Sequence, residues 1–224
     1  MNVVITGAGR GIGFAMTKSF LNDGHHVVAI SRNIEKLNAI DNSSLFPISF
    51  DLQSRDYSPI VDKVSTAFKT VDVLINNAGA LVAKPLLELL DEDFDVLFDV
   101  NVKAAFKMVR SLIPLMNKGS HIVNISSMGG FQGSTKFQGL SLYSAAKGAL
   151  NVLTESMALE LTDAKISVNA LSLGAVQTEM LAAAFPGYIA PLKPSEMAAF
   201  IKDFALTGHC VFNGKILPVS LSIP

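Results

Sequence analysis

The chain has 224 residues, a formal net charge of −1 at pH 7, half of its residues hydrophobic and a mean hydropathy of +0.41. Near-neutrality removes the electrostatic reason to expect nucleic acid or an anionic membrane as a partner. No uninterrupted apolar run reaches the ~18 residues that a membrane-spanning helix needs, and a single cysteine, Cys210, rules out an intrachain disulfide. The length suits one large α/β core. The high hydropathy points to a large buried sheet, with apolar helix faces available for oligomerisation. The lone cysteine fits a reducing cytoplasm. A first strand beginning at about residue 2 leaves no room for a signal peptide, so a cytoplasmic location is expected.

The stretch Val3-Val4-Ile5-Thr6-Gly7-Ala8-Gly9-Arg10-Gly11-Ile12-Gly13 reads as a buried strand, a glycine-rich turn and the start of a helix. Gly7 can take a backbone angle that other residues avoid. Gly11 lets the main chain approach a pyrophosphate, and Gly13 lets the helix pack close to the strand. The helix N-terminus then offers free N–H groups and partial positive charge to phosphates. The three glycines stand at i, i+4 and i+6, not at the i, i+2, i+5 of the commonest dinucleotide fingerprint. The helix ends at Asp23-Gly24, and Val27-Val28-Ala29-Ile30 forms a second strand followed by Ser31-Arg32. In a doubly wound fold this strand end faces the adenosine ribose. A carboxylate there would suit the 2′-hydroxyl of NAD. A hydroxyl and a guanidinium suit the 2′-phosphate of NADP, and Arg10 could reach the same phosphate. Both arginines are otherwise ordinary solvated loop charges.

Residues 45–50 predict a third strand, ending at Asp51-Leu52. Residues 64–68 lie in a helical segment. Residues 71–75 predict a fourth strand, ending in Asn76-Asn77-Ala78-Gly79. One long helical pattern runs from about Asp91 to Met116, opening on Asp91-Glu92-Asp93, which favour a helix N-terminus. Asn101 lies inside that pattern, where an asparagine by itself reads as a surface residue. Residues 121–125 predict a fifth strand, followed by Ser126-Ser127 and a glycine-rich loop. Residues 142–161 make a long helix with Tyr143 and Lys147. Residues 167–171 predict a sixth strand, with Gly174 just beyond. A loop or short helix covers 176–190, a last helix 195–205 and a last strand 215–219. Alternating strands and helices imply a single-domain, Rossmann-type α/β fold. Its doubly wound parallel sheet would have about seven strands, with helices on both faces. The substrate site would be built from the loops at about 126–142 and 174–194.

Tyr143 and Lys147 stand at i and i+4, on one helix face. A neighbouring ammonium favours the phenolate and lowers the tyrosine pKa. That makes the phenol a usable proton donor to a carbonyl, or acceptor from an alcohol, near neutral pH. Ser127 supplies a hydroxyl for the same substrate oxygen. Taken alone, this pair could equally be a surface pair.

Thr6-Gly7-x-x-x-Gly11-Ile12-Gly13, Asn76-Asn77-Ala78-Gly79, Asn101, Ser127 and Tyr143-x-x-x-Lys147 together resemble the short-chain dehydrogenase/reductase family, in its order and near its spacings, over residues 2–217. The resemblance implies Tyr143 as general acid or base, with Lys147 holding the nicotinamide ribose and lowering the tyrosine pKa. It implies Ser127 polarising the carbonyl and Asn101 holding a water in a proton relay. Gly7, Arg10, Gly11, Ile12 and Gly13 would cradle the pyrophosphate and adenosine side. Asp51 and Leu52 would contact adenine, and Asn77, Ala78 and Gly79 the adenosine half and adjoining backbone. Gly174, Val176 and Thr178 would lie on the nicotinamide side, Thr178 near the carboxamide. Ser31 and Arg32, with Arg10, match the family's NADP-preferring pattern. A homodimer or homotetramer follows by the same resemblance, through the helices around Asn101 and after Tyr143.

This chain departs from the pattern in four places. Leu173-Gly174 replaces the family's Pro-Gly. The interval from Ser127 to Tyr143 is longer, through residues 131–137, a loop expected to border the substrate site. The segment 178–194 is short for a lid, and an Asp-Gly-Gly turn is missing near the end. No metal site is expected, because His25, His26, His121 and His209 have no ligand spacing. Cys210 is expected as a small core residue. The expected activity is NADPH-dependent transfer of hydride to a carbonyl, with a 3-oxoacyl-thioester as first substrate class. A broad ketone or aldehyde reductase (pterin or sugar carbonyls included) and an alcohol dehydrogenase are the alternatives within enzymes. An NADP-binding regulatory protein with little turnover is the alternative outside them.

Overall fold

The computed structural model describes residues 1–221. In chain order the elements are β1 (Asn2–Thr6), α1 (Gly11–Asn22), β2 (His26–Ser31), α2 (Glu35–Asn38), β3 (Leu45–Ser49), α3 (Ser58–Ala67) and β4 (Val71–Asn76). There follow α4 (Asp91–Phe98), a π-helical turn (Asp99–Lys103), α5 (Ala104–Leu112), β5 (Met116–Ser127) and α6 (Ser141–Glu160). The chain closes with β6 (Ser167–Leu173), α7 (Glu179–Ala184), α8 (Pro194–Thr207) and β7 (Ile216–Val219). One seven-stranded sheet has the order β3-β2-β1-β4-β5-β6-β7, every pair parallel. The strand order reverses between β1 and β4, so a crevice opens at their carboxyl ends, where sheets of this kind bind ligands. This is the single-domain Rossmann-type architecture expected.

Side chains alternate across the sheet and fill two cores. Val3 and Ile5 pack with Met16 and Phe20 of α1 and Met197 and Ile201 of α8. Val4 and Leu74 pack on the opposite face with Ile60, Val64, Met108 and Met157, from α3, α5 and α6. Each such side chain, taken wholly out of water, contributes about 1.5–3 kcal/mol. Among the buried polar groups within the sheet is an imidazole. His121 is 1% exposed. Its Nδ1 donates to Ala205 O at 3.0 Å, and its Nε2 accepts from Asn169 Nδ2 at 3.0 Å. Burial pushes its pKa down to about 4, against the pull of the Ala205 hydrogen bond.

Several elements differ from the sequence expectation. The pattern over 91–116 is not one α-helix. It breaks at the π turn, resumes as α5 and ends in a 3₁₀ turn at Ile113–Leu115, where Pro114 cannot donate to a continuing helix. Met116 already belongs to β5. It pairs with Val71, and the ladder resumes at His121 opposite Val73 after an irregular stretch containing Gly119 at φ +91. β5 is therefore much longer than 121–125. The carboxylate-rich start at Asp91 is as expected, and Asp93 accepts from Leu90 N at 3.0 Å and pairs with Lys84 at 2.7 Å. Cys210 is exposed, in a 3₁₀ turn (Gly208–Cys210) off the end of α8, and is not a core residue. No helix among the described residues is long and apolar enough to cross a membrane.

Candidate active site

The site lies at the carboxyl ends of β1, β4, β5 and β6. On β1, Thr6 Oγ1 accepts from Asn77 N and Ala78 N, both at 3.0 Å, while Asn77 Nδ2 donates to Thr6 O at 3.0 Å. These bonds tie the glycine turn to the turn after β4. A side chain on Gly13 would collide with Gly7 O, so α1 can approach β1 only with glycine there. Gly11, at φ +54, is different. A side chain there would first meet Thr178 Cγ2 at 3.4 Å and Glu179 Oε2 at 3.7 Å, so the ground above its backbone is open. An open, side-chain-free turn at the N-terminus of a twelve-residue helix fits a dinucleotide pyrophosphate. Ile12 packs against the core from its partly buried place on α1.

At the end of the crevice expected to face adenosine, Arg10 precedes α1 in extended backbone and is exposed, as is Arg32. Ser31 Oγ abuts Gly9, which has no room for a side chain. Asp51 is exposed and accepts from Gln53 N at 3.0 Å. Leu52 is buried, and its carbonyl accepts from the Tyr57 hydroxyl at 2.6 Å. At the other end, Thr178 caps α7 by accepting from Leu181 N at 3.2 Å, with its methyl group over Gly11. Leu173 stands opposite Val219, and Gly174 N donates to Val219 O at 2.8 Å, so β6 stays paired where the family's proline would stand. A side chain on Gly174 would collide with Ser220. Val176 is buried and bridges to Leu192, and Gln177 Oε1 accepts from Ala190 N at 2.7 Å, which staples the base of the loop bearing α7.

The chemistry-bearing side chains meet between these ends. Lys147 is 4% exposed and donates from Nζ to Ile125 O at 2.9 Å. Its Nζ lies 5.9 Å from the centre of the Tyr143 ring. Ser127 Oγ accepts from Gly129 N at 3.2 Å, and its hydroxyl favours the phenolate of neighbouring Tyr143. Asn101 is 1% exposed, in the π turn, and its side chain donates to Leu97 O at 2.8 Å and Ala80 O at 2.9 Å. It is therefore no surface residue. Gly79 is placed beside Asn101 and Lys147.

One electrostatic expectation is overturned. Burial pushes the Tyr143 pKa up, and the Ser127 hydroxyl only partly offsets it. The ammonium does not bring it down. Lys147 is itself buried, its own pKa is pushed to about 8, and it is directed at Ile125 O. The loop 131–137, with the first residues of α6, borders a groove of about 540 Å³ lined by Phe131, Phe137 and Ser144. Sequence reasoning did not find Glu179 over the glycine turn, nor the buried pair Asn76–Asn124. Neither residue type carries a signal without its neighbours.

A family model described as short chain dehydrogenase matches residues 1–188. The chain belongs to that family. An uncharacterised oxidoreductase of Staphylococcus aureus (strain MW2) is 31% identical over 211 residues, covering 91% of this chain and 90% of the relative. The 3-ketoacyl-(acyl-carrier-protein) reductase of Brucella melitensis, solved with NADH, has a TM-score of 0.87 at 28% identity and covers 98% of this chain and 96% of its own. A short chain dehydrogenase of Burkholderia cenocepacia, solved with NADP, has a TM-score of 0.85 at 26% identity, covering 97% and 95%. As a short-chain dehydrogenase, this protein is an NAD(P)-dependent oxidoreductase.

Proposed function

We propose that this short-chain dehydrogenase is an NADPH-dependent carbonyl reductase in which Tyr143 is the proton donor. The observation that carries the reading is Tyr143 and Ser127 set beside buried Lys147, in one crevice with the open glycine turn. Bound over that turn, a nicotinamide cofactor supplies the hydride. Ser127 donates a hydrogen bond to the substrate oxygen and fixes its position. Tyr143 gives its proton to the same oxygen. Its raised pKa keeps the phenol protonated at neutral pH until the oxygen becomes basic enough to take the proton. Lys147, one turn along α6 and an ammonium below about pH 8, would hold the nicotinamide ribose. Asn101, clamped by Ala80 and Leu97, holds its turn of helix against Gly79 and Lys147.

Exposed Arg10 and Arg32, with Ser31 against Gly9, favour the 2′-phosphate of NADPH over the bare hydroxyl of NADH. The likeness to a 3-ketoacyl-(acyl-carrier-protein) reductase makes a 3-oxoacyl thioester the first substrate class. The test is oxidation of NADPH, and separately of NADH, against an acetoacetyl thioester, a diketone, an aromatic aldehyde and a quinone. Turnover of the thioester with NADPH supports the whole reading. Turnover of the other carbonyls alone replaces the substrate class, and a preference for NADH removes the phosphate site.

The exposed apolar side chains Phe94, Val152 and Leu159 on α4 and α6 are the faces through which the protein forms its homodimer or homotetramer.

A further inference from the structure

A file of buried polar groups runs beneath the site, and its direction is fixed at one end. A carbonyl can only accept, so Thr154 Oγ1 gives its one hydrogen to Leu150 O at 2.8 Å. Thr154 must then accept from Asn124 Nδ2, at 2.8 Å. That orients the Asn124 amide so that its Oδ1 accepts from Asn76 Nδ2, at 2.9 Å. The orientation of two amides, ordinarily open to a flip, thus follows from a single carbonyl. It leaves Asn76 Oδ1 as a buried acceptor without a protein donor.

Asn76 lines a small cavity of about 10 Å³, whose other polar side chains are Thr6 and Asn101. That volume suits the centre of one water. Thr6 Oγ1 already accepts from Asn77 N and Ala78 N, and its hydrogen reaches only Ile75 O, at a long 3.5 Å. A donor is required at Asn76 and a hydrogen is available at Thr6, and a single water answers both.

We propose that this cavity is a water site, the water donating to Asn76 Oδ1 and accepting from Thr6 Oγ1. Asn76, Asn124 and Thr154 are then positioning residues. With the water they join β1, β4, β5 and α6, and so hold the helix that carries Tyr143 and Lys147 at a fixed height against the turns after β1 and β4. Lys147 does not line the cavity, so this water is not one that bridges to its ammonium. The positioning role rests on the reading of Tyr143 as proton donor; the water site does not.

The test has two arms. A crystal structure of the wild-type protein, at a resolution that shows ordered water, is expected to place one water within hydrogen-bond reach of Asn76 Oδ1 and Thr6 Oγ1. A dry cavity overturns the water site, whatever any variant does. In the second arm, Thr154→Val is compared with Thr154→Ser by NADPH oxidation with an acetoacetyl thioester or a diketone. Thr154→Val is expected to lower kcat about ten-fold or more, as small misplacements of catalytic groups do. It should leave the KM for NADPH nearly unchanged and shift the pH limb of kcat, and Thr154→Ser should restore both. Should Thr154→Val not fold, Thr154→Ala serves in its place. A fall in Tm with kcat and pH profile unchanged makes the chain merely structural and overturns the positioning role. Full turnover in Tyr143→Phe defeats the proton-donor reading and leaves the wild-type water result standing.

Discussion

Replacing Lys147 by methionine is expected to make the cofactor-free protein more stable at pH 7 while abolishing its use of substrate. The side chain is almost wholly buried, with one hydrogen bond, to Ile125 O. Its pKa falls from 10.5 to about 8 because burial penalises the charged form. That difference corresponds to about 3 kcal/mol of destabilisation at any pH below the folded value. The sign follows from proton counts. Between pH 8 and 10.5 the unfolded chain binds the proton and the folded one has lost it, so stability rises with pH across that window. Below about pH 8 the full penalty applies, and above 10.5 it is gone. Methionine never bears the charge, but it removes the Nζ–H donor from Ile125 O, a loss of about 1 kcal/mol. The net expectation is a gain of roughly 2 kcal/mol for Lys147→Met at pH 7, shrinking and then reversing as pH rises above 8. Urea denaturation of both proteins at pH 7 and near pH 10, without cofactor, reads this directly. A variant that is less stable at pH 7, or a difference that does not change with pH, refutes the account of a buried charge held for function.

Three other expectations follow. His121 must be neutral in the fold, and its pKa falls from 6.5 to about 4, so the unfolded chain binds the extra proton first as pH drops. About 3 kcal/mol should be lost between pH 6.5 and 4, and His121→Gln should flatten that acid limb in urea titrations; an unchanged slope contradicts it. Arg32→Ala should weaken NADPH about ten-fold, the scale of one charge-assisted hydrogen bond, and leave NADH nearly untouched; equal losses for both cofactors in fluorescence titration would remove Arg32 from the phosphate site. Val152→Glu with Leu159→Glu should dissociate the proposed homo-oligomer by placing charge on the apolar face of α6, and a mass unchanged in light scattering moves the interface elsewhere.

How far the sequence speaks depends on how local the cause is. The glycine turn was legible because Gly11 and Gly13 answer steric demands set by immediate neighbours, at φ +54 and against Gly7 O. The parallel sheet was legible from apolar runs separated by helices. The π turn was not, because its extra residue per turn leaves no compositional trace in Asp99-Val100-Asn101-Val102-Lys103. Asn101 therefore looked like a solvent-facing residue, although Leu97 O and Ala80 O hold it in the interior. α2 is four residues long, too short to show a period. The sign of the Tyr143 shift was misread because proximity to an ammonium is visible in the spacing and depth of burial is not. Cys210 looked like core because of its residue type, yet it sits in a turn beyond the last periodic residue of α8. Family membership was legible because the four residues Asn101, Ser127, Tyr143 and Lys147 are spread over 47 positions in one order, which chance does not reproduce.

The central claim is that Tyr143 gives the proton that completes carbonyl reduction. The measurement that bears on it most directly is NADPH oxidation by Tyr143→Phe beside wild type, with NADPH binding titrated in both. The account predicts a loss of turnover of about 1000-fold, within the range of a removed general acid together with its hydrogen bonds, and cofactor affinity close to wild type. Turnover within about ten-fold of wild type, too small a loss for the proton donor, would contradict it.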